Sequence, residues 1–235
     1  MKKKLILWDI DGTLMSCYND GTLALNETFR RRTGHPNAMG ELIAGTSMDS
    51  SMVDMLMEKL GIDPAEKPAL IDEFAQILTD IVAKDADKKV LPGVREILDR
   101  LSGDPRVLMG IITSNFRVGA MIKLDSVDLG HYFTFGGFGD HPGEKWDAAR
   151  EAVEQAEEIS GETFTKENLF VIGDTRYDIR CAEKIGATSI AVGTGWMPYE
   201  LLEKEGADYL LESLADTDRF MRIIGLEKDP SLCPG

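Results

Sequence analysis

Asp9 and Asp11 close an apolar run, Leu5-Ile6-Leu7-Trp8-Asp9-Ile10-Asp11-Gly12-Thr13. Such a run reads as a buried strand, and residues two apart on a strand face the same way. Both carboxylates therefore project into one small volume at the strand's carboxyl end, where open α/β sheets bind ligands. Two like charges so close are costly unless a cation or a shared proton relieves them. Gly12 and Thr13 follow as a tight polar turn. The arrangement predicts metal-assisted chemistry on an anion.

Three further clusters repeat the theme. Thr113-Ser114-Asn115 ends the run Gly110-Ile111-Ile112 just ahead of a helical pattern. Hydroxyls and free N–H groups at a helix N-terminus suit a phosphate, and the same residues suit an ordinary N-cap. Leu169-Phe170-Val171-Ile172-Gly173 ends in Asp174, with Asp178 four residues on. A hard cation such as Mg²⁺ takes oxygen ligands and keeps waters, so Asp174 can supply a ligand and Asp178 can hold a metal-bound water or a neighbouring donor. An acidic first turn of a capped helix has the same pattern. Lys145, before another helical pattern, can neutralise a phosphate as a point charge. A solvated surface lysine is the ordinary expectation at such a position. Arg150, a turn further on, is the second cation candidate.

Positioning these clusters requires a sheet. Strand-like runs recur at 5–9, 107–113, 132–135, 169–173, 189–192 and 209–211, and helical patterns at 94–101, 118–124, 146–159 and 179–185. This alternation predicts the α/β class, a Rossmann-like parallel sheet with helices on both faces. From about residue 17 to residue 89 the apolar spacing is helical only, as in Met48, Met52, Met55, Leu56 and Leu60, then Ile71, Phe74, Ile77, Leu78 and Ile81. Gly34-His35-Pro36-Asn37 and Gly61-Ile62-Asp63-Pro64 divide it into helices. The expected organisation is a core of residues 1–16 and 90–235, with a helical module, 17–89, inserted after the first strand.

Charge narrows the partners. The 41 acidic and 26 basic residues give a net charge of -15, a field that repels nucleic acid and anionic membranes, so neither is expected as a partner. The field also repels a phosphorylated substrate at long range. An anion site must then be built locally, from a cation, a lysine or backbone N–H groups. Cys17, Cys181 and Cys233 are widely spaced and form no CxxC pair, which predicts reduced, incidental thiols in a cytoplasmic protein. The apolar run after Met1-Lys2-Lys3-Lys4 is too short for a signal peptide and is broken by Asp9, and no stretch is long enough to span a membrane. His35, His131 and His141 lack metal-ligand spacing.

The order acid pair, hydroxyl cluster, lysine, acid pair resembles the haloacid dehalogenase superfamily of Mg²⁺-dependent phosphatases. Asp9-Ile10-Asp11-Gly12-Thr13 is similar to its DxDGT signature, Thr113-Ser114-Asn115 to its second motif, and Gly173-Asp174-Thr175 with Asp178 to its GDxxxD-type fourth motif. The stretch from Thr113 through Lys123-Leu124 and Tyr132-Phe133 to Phe138-Gly139-Asp140 resembles the phosphoglycolate-phosphatase-like branch. The helical module sits where that family carries its C1-type cap. Gly143-Glu144-Lys145 departs from the Lys-Pro pairing of many relatives.

The resemblance implies roles. Asp9 is the nucleophile that forms an aspartyl-phosphate, and Asp11 is general acid, then base. Mg²⁺ is held by Asp9, the Asp11 backbone carbonyl and Asp174, with Asp178 beside them. Gly12, Thr13, Thr113, Ser114, Asn115 and Lys145 hold the phosphate. As an acid, Asp11 should have a pKa raised toward neutrality. The implied substrate is a small phosphorylated metabolite and the implied state a monomer or weak homodimer. A phosphomutase of the same cap class and a non-catalytic phosphate-binding relative are the alternatives. Gly45-Thr46-Ser47 resembles the cap's glycine-containing loop, and equally reads as an N-cap before Met48.

Overall fold

The computed structural model describes residues 2–17, 19–41 and 48–227. Six strands form one parallel sheet in the spatial order β5 (Gly136–Gly137), β4 (Val107–Ile112), β1 (Lys4–Trp8), β6 (Leu169–Gly173), β7 (Thr188–Val192) and β8 (Tyr209–Leu211). β1 is central and covered on both faces, which is why its apolar run is continuous. Ile6 and Trp8 join one cluster with α4 (Val94–Ser102), α5 (Arg117–Asp125) and α9 (Thr217–Ile223). Leu5 and Leu7 join the opposite cluster with α6 (Lys145–Ser160) and α7 (Arg176–Ile185). α8 (Tyr199–Leu202) packs Leu202 beside Ile179 and Ala191.

The insertion lies between β1 and β4. It holds α1 (Asp20–Thr33), α2 (Asp49–Leu60) and α3 (Lys67–Lys84). Leu25 and Phe29, Val53 and Leu56, and Leu70, Phe74 and Leu78 bury their stripes against one another and against Phe116 of the core. Met48 and Met57 are buried here, while Met55 is exposed. Gly34 and Gly61 end α1 and α2 in the left-handed conformation, as the breaker motifs predict. A two-strand antiparallel ribbon, β2 (Met15–Ser16) with β3 (Lys89–Val90), ties the insertion's two ends together.

Several elements depart from the sequence expectation. The 132–135 run is not a strand: Tyr132 ends a 3₁₀ turn, and only Gly136–Gly137 pairs with β4. Phe133 and Phe135 do alternate between the two faces of the core, which imitates a strand. The pairing residues are glycines because a Cβ at Gly136 would lie 2.6 Å from the Ile111 carbonyl oxygen, and one at Gly137 1.7 Å from that of Ala148. The β2–β3 ribbon escapes prediction because two residues per strand carry no period. The short helices α8 and α9 escape for the same reason. Gly45-Thr46-Ser47 and residues 228–235, Cys233 included, lie outside the described residues.

Candidate active site

The carboxyl ends of β1, β4 and β6 surround one cavity of about 170 Å³. Asp9, Asp11, Thr113, Ser114, Asn115, Lys145, Asp174, Thr175, Tyr177 and Trp196 line it. β1 delivers Asp9 directly, and Asp9 N–H donates to the Ile172 carbonyl at 3.0 Å, which locks the end of β1 against β6. Asp9 is only 7% exposed.

Lys145 is no surface lysine. It is 5% exposed, and its Nζ lies 2.9 Å from Asp9 Oδ1 and 2.6 Å from Asp178 Oδ1. It is the first residue of α6, whose start is fixed by a capping box between Glu144 and Asp147. Arg150 points away, exposed and paired with Asp147, so Lys145 is the cation brought to the acids. Burial alone would lower its proton affinity, but Asp178 and Asp9 outweigh it and hold the ammonium above its usual range.

Asp178 does two jobs. Its Oδ2 accepts from Thr175 N–H at 3.0 Å and from Thr175 Oγ1 at 2.6 Å, a capping box that starts α7, while Oδ1 meets Lys145. Asp178 thus caps α7 and, with its other oxygen, pairs with Lys145. Asp174 Oδ2 accepts from Trp196 N–H at 2.9 Å, and its Oδ1 is buried with no hydrogen-bond partner. One carboxylate oxygen each from Asp9, Asp174 and Asp178 lies within 4.8 Å of the others. Burial, countered by Lys145 and reinforced by Asp178, raises Asp9 to about 7. Burial together with the charges of Asp9 and Asp178 raises Asp174 to about 8. Such a set of oxygen donors is short of positive charge.

Asp11 corrects an expectation. Its carboxylate does not face this cluster. Oδ2 accepts from Lys123 Nζ at 2.7 Å and Asn115 Nδ2 at 2.9 Å, and Oδ1 accepts from Cys17 Sγ at 2.8 Å. Burial pushes the carboxyl up, but Lys123, Cys17 and Asn115 together hold it below its usual value, not above it. Cys17 is thus no incidental thiol. Lys123, 3% exposed on α5, also donates to Asn115 Oδ1 at 3.0 Å.

The second motif is a bonded unit. Thr113 Oγ1 accepts from Asn115 N–H at 3.2 Å and from Asn115 Nδ2 at 2.7 Å. Neither Ser114 nor Asn115 caps α5, which begins at Arg117 after Phe116. Gly12 and Thr13 do not line the cavity. Gly12 sits at φ +78°, where a Cβ would lie 2.6 Å from Asp174 Oδ2, and Thr13 is fully buried. Gly12 lets the β1 loop pass close to Asp174.

Lys123, Cys17, Tyr177 and Trp196 are the site residues that motif reading missed. Lys123 had a usable signal: Gly119, Ala120, Lys123 and Leu124 share one helical face, and all four are buried.

Known proteins resemble this chain along most of its length. The family model described as haloacid dehalogenase-like hydrolase matches residues 6–192. A phosphoglycolate phosphatase of Pseudomonas syringae pv. tomato is 28% identical over 90% of this chain and 77% of its own length. A candidate pyrophosphatase, PpaX, of Caldanaerobacter subterraneus is 26% identical over 91% of this chain and 92% of its own. A hydrolase from Pseudomonas syringae superposes with TM-score 0.68 at 22% identity, over 94% of this chain and 99% of the other. At that identity the superposition speaks for the fold.

Proposed function

The chain belongs to the haloacid dehalogenase-like hydrolases, and we propose that it is an Mg²⁺-dependent phosphatase that hydrolyses a small-molecule phosphate monoester through an aspartyl-phosphate on Asp9. One observation carries this reading. Lys145 is locked between Asp9 and Asp178 while Asp174 beside them keeps a buried oxygen without a partner. A hard cation satisfies that oxygen, and three carboxylates within 4.8 Å suit one. Asp9 and Asp174 would hold Mg²⁺, with Asp178 beside them. The ion supplies positive charge that keeps the carboxylates ionised and offsets charge on the phosphoryl group.

The chain's own groups divide the rest of the work. Asp9 attacks phosphorus, and the bond from phosphorus to the leaving oxygen breaks. Lys145 holds Asp9 by one oxygen, which fixes the line of attack. The Thr113 region and Lys145 receive the phosphoryl oxygens. In the resting arrangement Asp11 is ionised, the state needed to take a proton from water when the aspartyl-phosphate is hydrolysed. To protonate the leaving oxygen first, it must gain a proton as substrate enters. The incoming phosphoryl dianion raises the proton affinity of Asp11 in that step. Residues 17–89 act as the cap that shields this exchange from water.

With Mg²⁺, the protein should release free phosphate from common monoesters, and Asp9→Asn should abolish release while the fold persists. Phosphate release that survives Asp9→Asn would refute the mechanism. Free phosphate as the product separates hydrolysis from transfer within the substrate.

A further inference from the structure

We propose that the cavity between the two linkers of the insertion binds an aliphatic ammonium group of the leaving group, so that the substrate is the phosphate monoester of an amino alcohol. This rests on the phosphatase reading and names its substrate class. Ester and water give amino alcohol and phosphate. The phosphorus–oxygen bond breaks, the alcohol oxygen takes the proton, and the ammonium group is unchanged.

Size and place come first. The phosphoryl cavity, about 170 Å³, accommodates a phosphoryl group and little more, whereas pockets for whole small ligands run to roughly 300–1,000 Å³. A second cavity, of about 670 Å³, has that size. Ser16, Cys17 and Asp20 of the outgoing chain and Asp85, Asp87 and Leu91 of the returning chain wall it. The two cavities meet at one contact. Cys17 lines the larger, Asp11 lines the smaller, and Cys17 Sγ donates to Asp11 Oδ1 at 2.8 Å. The first turn of α1 overhangs the same point, where a Cβ at Gly21 would lie 3.8 Å from Lys123 Nζ. A leaving oxygen served by Asp11 therefore has the larger cavity beside it.

Asp20 tells what that cavity takes. The residue is 6% exposed, and its Oδ2 is buried without a hydrogen-bond partner. Nearby ammonium groups are bound elsewhere: Lys123 to Asp11 and Asn115, and Lys88 to the Val82 carbonyl. Burial, then the charge of Asp85, raises the proton affinity of Asp20 against the pull of Lys123 and Lys88, the sign of an acid without its counter-charge. An N–H donor that carries positive charge satisfies such an oxygen best.

The rest of the lining separates an organic cation from a metal ion. Among the described residues, Asp9, Asp174 and Asp178 are the acids whose oxygens gather within 4.8 Å, and those of the second cavity do not. They are too spread to chelate one small ion. Lys89 is the one cation of the described lining, against Asp20, Asp85 and Asp87. Leu23, 52% exposed, and Leu91 supply apolar wall. An alkylammonium group fits this mixture, its stem along the leucines and its head at the acids.

ω-Aminoalkyl phosphates, from ethyl to hexyl, test the idea against n-alkyl phosphates of equal length. With Mg²⁺, at the best length, the amine should be preferred by about 10-fold or more in kcat/KM, arising in KM. Asp20→Asn should bring that ratio toward one, and Asp20→Glu, which keeps the charge, should retain a preference. Leu23→Lys, at an exposed position, places a tethered ammonium beside the acids and should also lower the ratio, which keeps the test open if Asp20→Asn does not fold. No amine preference at any length, a ratio untouched by both Asp20→Asn and Leu23→Lys, or faster turnover of phosphoglycolate than of every aminoalkyl ester would overturn the proposal. If neither series releases phosphate, the phosphatase reading fails. Titration calorimetry with the same aminoalkyl phosphates then decides the ammonium site by itself. Binding that Asp20→Asn weakens about 10-fold supports it, and binding that Asp20→Asn leaves unchanged, or no binding, overturns it.

Discussion

Lys145 bridges two buried carboxylates, so its removal exposes what the site costs. Lys145→Met keeps the length of the side chain and leaves Asp9 and Asp178 facing each other without their shared ammonium. Breaking a buried ion pair from one side costs about 3–5 kcal/mol. Urea denaturation without metal should show a loss of that order, with part of it recovered in Mg²⁺. A loss well under 1 kcal/mol would mean that solvent, not Lys145, balances the acids. The same residues set a pH dependence. Burial raises Asp9 to about 7 and Asp174 to about 8, above the ordinary value of 3.8. The folded protein then binds more protons than the unfolded chain between those values, so stability falls as pH climbs from about 4 to about 8. Asp49, raised to about 6 by burial, acts in the same direction. Asp11, held low, acts in the opposite sense at the lower edge of this window, where the unfolded carboxyl still binds protons, and contributes nothing to the slope above about pH 6. Thermal melts without metal should show Tm declining over this range, and saturating Mg²⁺ should flatten the decline by favouring the ionised carboxylates. A metal-free Tm that rises with pH would contradict the burial argument.

At the scale of elements, α6 carries Lys145 to the sheet, and small residues let it approach. Ala149, Ala152 and Ala156 are fully buried, and the Ala148 carbonyl comes so close to Gly137 that no Cβ fits there. Ala149→Leu overfills this contact, at a cost of about 1–3 kcal/mol, and pushes the helix and its first residue off the sheet. We expect a lower urea midpoint together with a lower kcat. A midpoint shift with kcat intact would show that the seat of α6 does not govern Lys145. These elements also explain what the sequence revealed and what it hid. The buried strands β1 and β6 announce themselves as apolar runs that end in acids, because a strand covered on both faces must be apolar until it reaches the ligand edge. Asp9, Asp11, Asp174 and Asp178 were legible for that reason. Lys123 carried a weaker signal, its place on an apolar helical face, because a lysine within a helix otherwise reads as solvated until tertiary packing places an acid over it. Asp11 was legible in position but not in protonation, since its pKa depends on Lys123, Cys17 and Asn115, which come from three different segments. The 132–135 run failed for a related reason: alternating Phe133 and Phe135 satisfy the core without a ladder, and the residues that pair are glycines.

For the whole molecule, the question is how the helical insertion holds to the sheet. Phe116, fully buried, leaves the core just ahead of α5 and stacks edge-on against Phe74 of α3, with ring centroids 5.9 Å apart. Polar bonds surround it: Phe116 N–H donates to Asp49 Oδ2 at 3.0 Å, Asp49 N–H to the Ser114 carbonyl at 2.9 Å, and Ser50 N–H to the Gly139 carbonyl at 3.0 Å. This seam joins the start of α2 to the second-motif loop, so closing the insertion and arranging the phosphoryl site are mechanically linked. We therefore expect one cooperative unfolding transition for the parent protein. Phe116→Ala empties the shared contact at a cost of about 3–5 kcal/mol and leaves the insertion held to the core by the Asp49 and Ser50 hydrogen bonds and the ribbon. Trp8, Trp146 and Trp196 all lie outside the insertion, so tryptophan fluorescence reports the core, whereas circular dichroism at 222 nm also counts α1, α2 and α3. The two signals should coincide in the parent protein. They should separate in Phe116→Ala, with the dichroism falling at lower urea. Coincident curves in the variant, merely shifted together, would mean that the insertion and the sheet share one folding unit without this seam.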